Sequence, residues 1–318
     1  MSDQSGPLEI ESVNSRFGSR VTGIDLRDGV SDDTRDILRD LLWERGVLVF
    51  PGQVLTRDEQ LDFTGIFAEP APQPVRSFLG GNDCITVIDP QYVDGSAVDS
   101  SDHVAPVARF PEFEGWHSDS TFARDINAVA TLRAEVTPPV GGDTCFASMA
   151  AAHDDLSPML RDWLGSCEAL HWYPPYFISA FKFHLYGADA EERFVERYQP
   201  WRHPVVVRHP ETGRRSLFVN PVYTTEIVGL AQAESRELLT FLFRHATSSE
   251  YVYRHHWTPN DLVIWDELSM IHLAPQDFAP HQRRMVRATG GVIEPEAASG
   301  IVRSDQHSHL VRVPVTAR

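Results

Sequence analysis

Short runs of apolar and β-branched residues, closed by Gly, Pro, Asn or Asp, recur along this chain and restrict it to a fold built from many short strands. The first is Val47-Leu48-Val49-Phe50, opened by Gly46, and others span Val205 to Arg208, Leu217 to Val219 and Asp261 to Asp266, with more around Tyr251 and Val286. Helical spacing interrupts them in a few places. Ser31 can cap a segment carrying Ile37, Leu38, Leu41 and Leu42, and Thr56 with Glu59 forms a capping box ahead of Leu61, Phe63 and Phe67. Further helices are expected near Ser157 to Leu164 and over Ala231 to His245. Many strands with few helices predict a mainly β fold with flanking helices, its core a double-stranded β-helix of the jelly-roll, cupin-like kind.

Two stretches break this rhythm. Gln91 to Gly115 is rich in Ser, Asp and Pro, and Trp172 to Trp201 is aromatic and irregular, too apolar for a linker. Both are expected to be active-site loops, 91–115 before a sheet and 172–201 as a lid. No repeat or interdomain linker divides the 318 residues, so one domain over 1–318 is expected.

Composition narrows the function. With 42% hydrophobic and 23% charged residues the chain can bury a core, which excludes a disordered class. A formal charge of -17 repels phosphate backbones and anionic membranes, so no nucleic acid or membrane partner is expected. No apolar run approaches the roughly 18 residues of a membrane span, and the polar start, Met1 to Gly6, has no signal-peptide pattern, which predicts a cytoplasmic protein. Cys84, Cys145 and Cys167 are odd in number and widely spaced, which argues against a disulfide framework or a cysteine zinc site. Whether the chain forms a homo-oligomer is left open.

The chemistry lies in the histidines. Two histidines and one carboxylate can hold Fe(II) on one face and leave adjacent positions open, and H-x-D on a strand encodes two of the three because residues i and i+2 share a face. Three H-x-[DE] strings occur among 14 histidines. His153-Asp154-Asp155 follows an Ala-rich helical run and His209-Pro210-Glu211 lies in a turn, so only Trp116-His117-Ser118-Asp119-Ser120-Thr121-Phe122 has strand context. A third ligand is available at His272, beyond the strand ending in Trp265-Asp266. Arg283 and Arg287 follow on the next run, and a guanidinium suits a bidentate grip on a carboxylate.

These blocks together resemble the taurine dioxygenase and chlorophenoxyacetate dioxygenase family of Fe(II)/2-oxoglutarate enzymes. The resemblance runs through Val21 to Leu26, Val47 to Pro51, Trp116 to Phe122, Gly141-Gly142-Asp143-Thr144, Leu217 to Asn220 with Thr224-Thr225, Pro259 to Leu262, and Trp265 through His272 to Gly290. It implies His117, Asp119 and His272 as iron ligands, Thr144 and Arg283 as the pair on the distal carboxylate of 2-oxoglutarate, and Arg287 as the grip on an anionic substrate. It also implies Fe(II), with 2-oxoglutarate and O2 as cosubstrates, and oxidation of a small acidic molecule with release of succinate and CO2. Hydroxylation is the expected outcome, followed by C-heteroatom cleavage where the carbon bears one; retention of Asp119 disfavours halogenation.

Departures from the family pattern bear on the substrate. Gln73 stands where the taurine enzyme has a sulfonate-contacting histidine, Arg76 where it has a tyrosine, Phe113 where it has an asparagine, and Tyr223 where it has a pocket phenylalanine. With the aromatic stretch from Trp172 and the single lysine, Lys182, these make taurine an unlikely fit and suggest a larger, partly apolar anion held by Arg76, Lys182 and Arg287. Two other classes stay open from residues alone: a metal-dependent hydrolase using His/Asp/His and water, and a metal-binding barrel without turnover.

Overall fold

Ser31 and Gly46 bracket the first helix, Asp32–Arg45. The Ser31 side chain accepts from the Thr34 N–H at 3.2 Å, and Gly46 turns left-handed at φ 73°, where a Cβ would stand 2.7 Å from the Met270 sulfur. The next helix, Arg57–Phe67, starts in the expected capping box: Thr56 Oγ1 accepts from the Glu59 N–H at 3.2 Å, and Glu59 Oε2 accepts from the Thr56 N–H at 2.7 Å. Thr56→Ala is therefore expected to lower the unfolding free energy by about 1 kcal/mol, and an unchanged urea midpoint would show the box to be idle. The computed structural model describes residues 8–80, 83–89, 92–93, 96–97, 109–113, 115–174 and 187–299.

Seven strands form one sheet in the order Glu9–Ser12, Ser19–Thr22, Val47–Phe50, Leu262–Asp266, Val129–Val136, Arg284–Gly290 and Ile85–Ile88. Neighbours are antiparallel except Ser19–Thr22 beside Val47–Phe50. Alternation along the central strands sends side chains to two layers, which explains why Val47 to Phe50 is apolar throughout. Leu48, Phe50, Leu262 and Ile264 meet Leu38 and Leu42 of the first helix and Phe63 and Phe67 of the second. Val47, Val49, Val263 and Trp265 face the other way, against Phe146 and Met270.

Those last two residues belong to a three-stranded sheet, Val252–His255, Thr144–Ser148 and Met270–Leu273, with Thr144–Ser148 in the middle. Its far face presents Cys145, Ala147 and Ile271 to Leu239, Leu242 and Phe243 of the helix Gln232–Ala246. The layers are thus helices, large sheet, small sheet, helix. This is a mixed α/β chain rather than a mainly β one, because amphipathic helices cover both outer faces.

Where the sequence reads as irregular, the structure is partly regular. Within 91–115, strands Tyr92–Val93 and Ser96–Ala97 pair, and Pro111–Phe113 forms a 3₁₀ turn. Within 172–201, Ala190–Arg197 is a helix that buries Ala190 and Phe194 one turn apart, with Glu191 and Glu192 at its start and Arg197 at its end complementing the helix dipole. The aromatic neighbours had masked that spacing. Lys182 and the rest of 175–186 lie outside the described residues. Among the described residues no helix is long and apolar enough to cross a membrane.

Candidate active site

One hydrogen-bonded backbone pair assembles the histidines. His117 N–H donates to the His272 carbonyl at 2.9 Å and His272 N–H returns the bond at 2.7 Å, an isolated antiparallel bridge that sets the imidazole centroids 4.3 Å apart. The expected strand over 116–122 shrinks to this bridge. Directly after Asp119 the chain reverses, with Ser120 at φ 60°. The i, i+2 rule still holds over that short extended piece, so Asp119 joins His117 and Ser118 points away, its hydroxyl shared between the Glu267 carbonyl at 2.7 Å and Glu267 Oε2 at 2.9 Å. One ligand atom from each of His117, Asp119 and His272 lies within 4.8 Å of the others, and this is the one such group among the described residues. His153 instead sits buried in the helix Met149–Asp154, and His209 is buried with Nε2 3.5 Å from Asp266 Oδ2.

The donor set suits a divalent cation. The Gly115 carbonyl can only accept, so the 2.7 Å contact makes His117 Nδ1 a donor and leaves Nε2 as the ring atom facing Asp119 Oδ1, at 3.4 Å. A ring nitrogen and a carboxylate oxygen at that separation are placed to share a cation. His272 is pushed down to about 3, chiefly by burial and then by His117, so its ring is neutral and available. Burial alone would raise Asp119, but the Arg287 guanidinium outweighs it and, with the His117 contact, holds the carboxyl well below the ordinary range.

Asp119 is gripped from behind. Its Oδ2 accepts from Arg287 Nη1 at 2.8 Å and from Gln73 Nε2 at 2.9 Å, while Arg287 Nη2 donates to Gln73 Oε1. Its N–H donates to Glu267 Oε2 at 2.9 Å, and Glu267 Oε1 accepts from Trp265 Nε1 at 2.8 Å. Burial and the adjacent Asp119 charge raise Glu267 above the usual carboxylate range despite these donors.

A second constellation lies nearby. Thr144 and Arg283 are both buried, with Arg283 Nη2 3.5 Å from Thr144 Oγ1 and Arg283 Nε donating to the Gly142 carbonyl at 2.9 Å. Trp257 Nε1 donates to Thr144 Oγ1 at 2.9 Å, which directs the hydroxyl hydrogen elsewhere. Arg283 makes no salt bridge to a described residue, and burial pulls it down to about 10 against the opposing charges of Asp143 and Asp277. A buried guanidinium beside a hydroxyl donor is a ready anion receptor.

One cavity of about 880 Å³ joins these groups: His117, His272, Thr144, Arg283, Arg287 and Arg76 all line it. Four other described residues expected at the substrate do not: Gln73 turns to Asp119 instead, and the remaining three pack elsewhere. Phe113 packs against Phe243, their ring centroids 6.0 Å apart; Trp172 lies beside Tyr173; and Tyr223 packs on Phe122, with its ring 6.3 Å from His117. Sequence reading missed Arg57 and Arg284, which line the cavity, and Glu267 and Trp257, which brace it from outside. Only Arg284, next to Arg283, carried a local signal.

Comparison with known proteins agrees with this geometry. The family profile described as "Taurine catabolism dioxygenase TauD, TfdA family" matches residues 9–289. An alpha-ketoglutarate-dependent 2,4-dichlorophenoxyacetate dioxygenase of Cupriavidus pinatubonensis is 35% identical over 86% of this chain and 94% of its own. An alkylsulfatase of Acinetobacter baylyi is 30% identical over 89% of this chain and 84% of its own. A crystal structure of a taurine dioxygenase from Burkholderia xenovorans superposes with a TM-score of 0.75 at 27% identity, covering 94% of this chain and 96% of that one.

Proposed function

The chain belongs to the TauD/TfdA family of Fe(II)/2-oxoglutarate-dependent dioxygenases, and on that premise we propose that it oxidises a small, anionic, partly apolar organic molecule other than taurine. The reaction is a hydroxylation, with C-heteroatom cleavage where the oxidised carbon carries a heteroatom, coupled to release of succinate and CO2. In this reading His117, Asp119 and His272 hold Fe(II), which supplies the redox chemistry toward O2, and Thr144 with Arg283 holds the distal carboxylate of 2-oxoglutarate. The observation that carries it is the convergence of a three-ligand cluster and a buried anion receptor on one cavity.

The protein's own task is positioning. Arg287 and Arg76 supply positive charge to the substrate's anionic group, with Lys182 as a further candidate. Arg287 Nη1 and Nη2 are committed to Asp119 and Gln73, while its buried Nε has no partner among the described residues. The two-sheet sandwich is read as a double-stranded β-helix within a single domain, and the segments 91–115 and 172–201 as the cavity's covers. Phe113 and Trp172 would then reach substrate only if those covers close.

The test is succinate formation from 2-oxoglutarate under air with a panel of aryloxyalkanoates, alkyl sulfate esters and alkyl sulfonates. A panel member other than taurine should stimulate turnover; a chelator should stop it, and Fe(II), not Zn(II), should restore it. Product formation without O2 or 2-oxoglutarate would move the hydrolase reading forward.

A further inference from the structure

We propose that Gln73 is a positioning residue for Asp119, a clamp that keeps one carboxylate oxygen off the metal, rather than a substrate contact. The inference rests on the reading of Asp119 as a ligand. Gln73 is the residue just before the helix Pro74–Phe78, with φ -63° and ψ 149°, yet its side chain makes no capping bond to that helix. Ser, Thr, Asp and Asn are the residues that cap well there. A glutamine is too long for the task, and here it reaches away from the helix to the metal motif.

Its amide closes a ring of three side chains. Gln73 Nε2 donates to Asp119 Oδ2 at 2.9 Å, Arg287 Nη1 donates to the same oxygen at 2.8 Å, and Arg287 Nη2 donates to Gln73 Oε1. The amide orientation is fixed by this pattern, because only its nitrogen can donate to a carboxylate and only its oxygen can accept from a guanidinium. Oδ2 thereby receives two donors on the side away from the histidines. Oδ1 is the oxygen left facing His117 Nε2, at 3.4 Å. The carboxylate is thus held against rotation that would exchange its two oxygens, and it can offer one oxygen at a time. Arg287 is locked by the same ring, so Gln73 also sets which edge of that guanidinium faces the cavity.

Gln73→Asn separates positioning from structure. Asparagine keeps an amide but is one methylene shorter, so it withdraws from Asp119 while becoming a better cap for Pro74–Phe78. The metal-free variant should stay folded and melt close to the wild-type temperature, the better cap offsetting the lost amide contacts, and its Mn(II) affinity, measured by calorimetry, should fall about ten- to a hundredfold, the usual effect of losing an outer partner of a metal ligand. Gln73→Met, similar in length and without donors, should show the same loss. Mn(II) affinity within twofold of wild type in both variants would overturn the clamp, as would a loss of affinity that only accompanies a lower melting temperature. If the wild type itself binds no Mn(II) while folded, the metal reading fails first and the clamp falls with it.

Discussion

Alanine at His272 is expected to remove metal binding and turnover together. His272 supplies one of three ligands, and its backbone holds His117 through the reciprocal bridge, whose bonds of 2.9 and 2.7 Å do not involve the side chain. The substitution therefore deletes a ligand while leaving the scaffold that positions the other two. The loss of Fe(II) affinity should exceed the roughly hundredfold upper end seen for outer partners, and succinate formation should fall to background. Anaerobic titration with Fe(II) and then 2-oxoglutarate checks it: the visible charge-transfer band of the chelate should form in the wild type and be absent in His272→Ala. His153→Ala, which removes the histidine of the helical His-x-Asp string, should still give the band. A band of full intensity in His272→Ala would remove this residue from the ligand set.

The second large effect is expected at Arg283. Arg283 is 4% exposed, and its guanidinium sits beside Thr144 and makes no salt bridge to a described residue. Arg283→Ala removes the one buried cation beside Thr144 among the described residues, so a bound carboxylate would be left without its charged partner. Binding of 2-oxoglutarate should weaken by about 2–4 kcal/mol, roughly 30- to 1000-fold. Arg283→Lys should recover only part of this, since a lysine keeps the charge and loses both the fork and the Nε bond to the Gly142 carbonyl at 2.9 Å. The Kd for 2-oxoglutarate is read from the same band, and the substrate's KM from succinate release. Equal weakening of cosubstrate and substrate would remove the assignment.

Periodicity reached the scaffold because each signal there is local. Ser31, Thr56 and Glu59 cap the helices they were expected to cap, and Val47 to Phe50 is a strand buried on both faces. Local signals failed where neighbours supply the order. The helix Ala190–Arg197 is anchored by Phe194 against Phe78 and Tyr198, contacts that spacing does not announce, and the metal turn is extended for hardly more than one bridged residue. A strand reading placed His117 and Asp119 together for the right geometric reason over too long a segment.

The chemistry of the site was open to sequence reading because it depends on residue type at fixed offset: a step of two between side chains on one face, and an arginine eleven positions beyond His272. What holds those groups was not, because it depends on atoms brought together across 46 to 168 residues. Glu267 reaches the Asp119 N–H, Trp257 reaches the Thr144 hydroxyl, and Gln73 with Arg287 closes on the far oxygen of Asp119. The sequence by itself determined which side chains can ligate and which can receive an anion. Only the tertiary structure decided that the Gln73 amide bonds Asp119 and Arg287, since hydrogen-bond direction and burial are properties of the packed chain and leave no periodic trace along it.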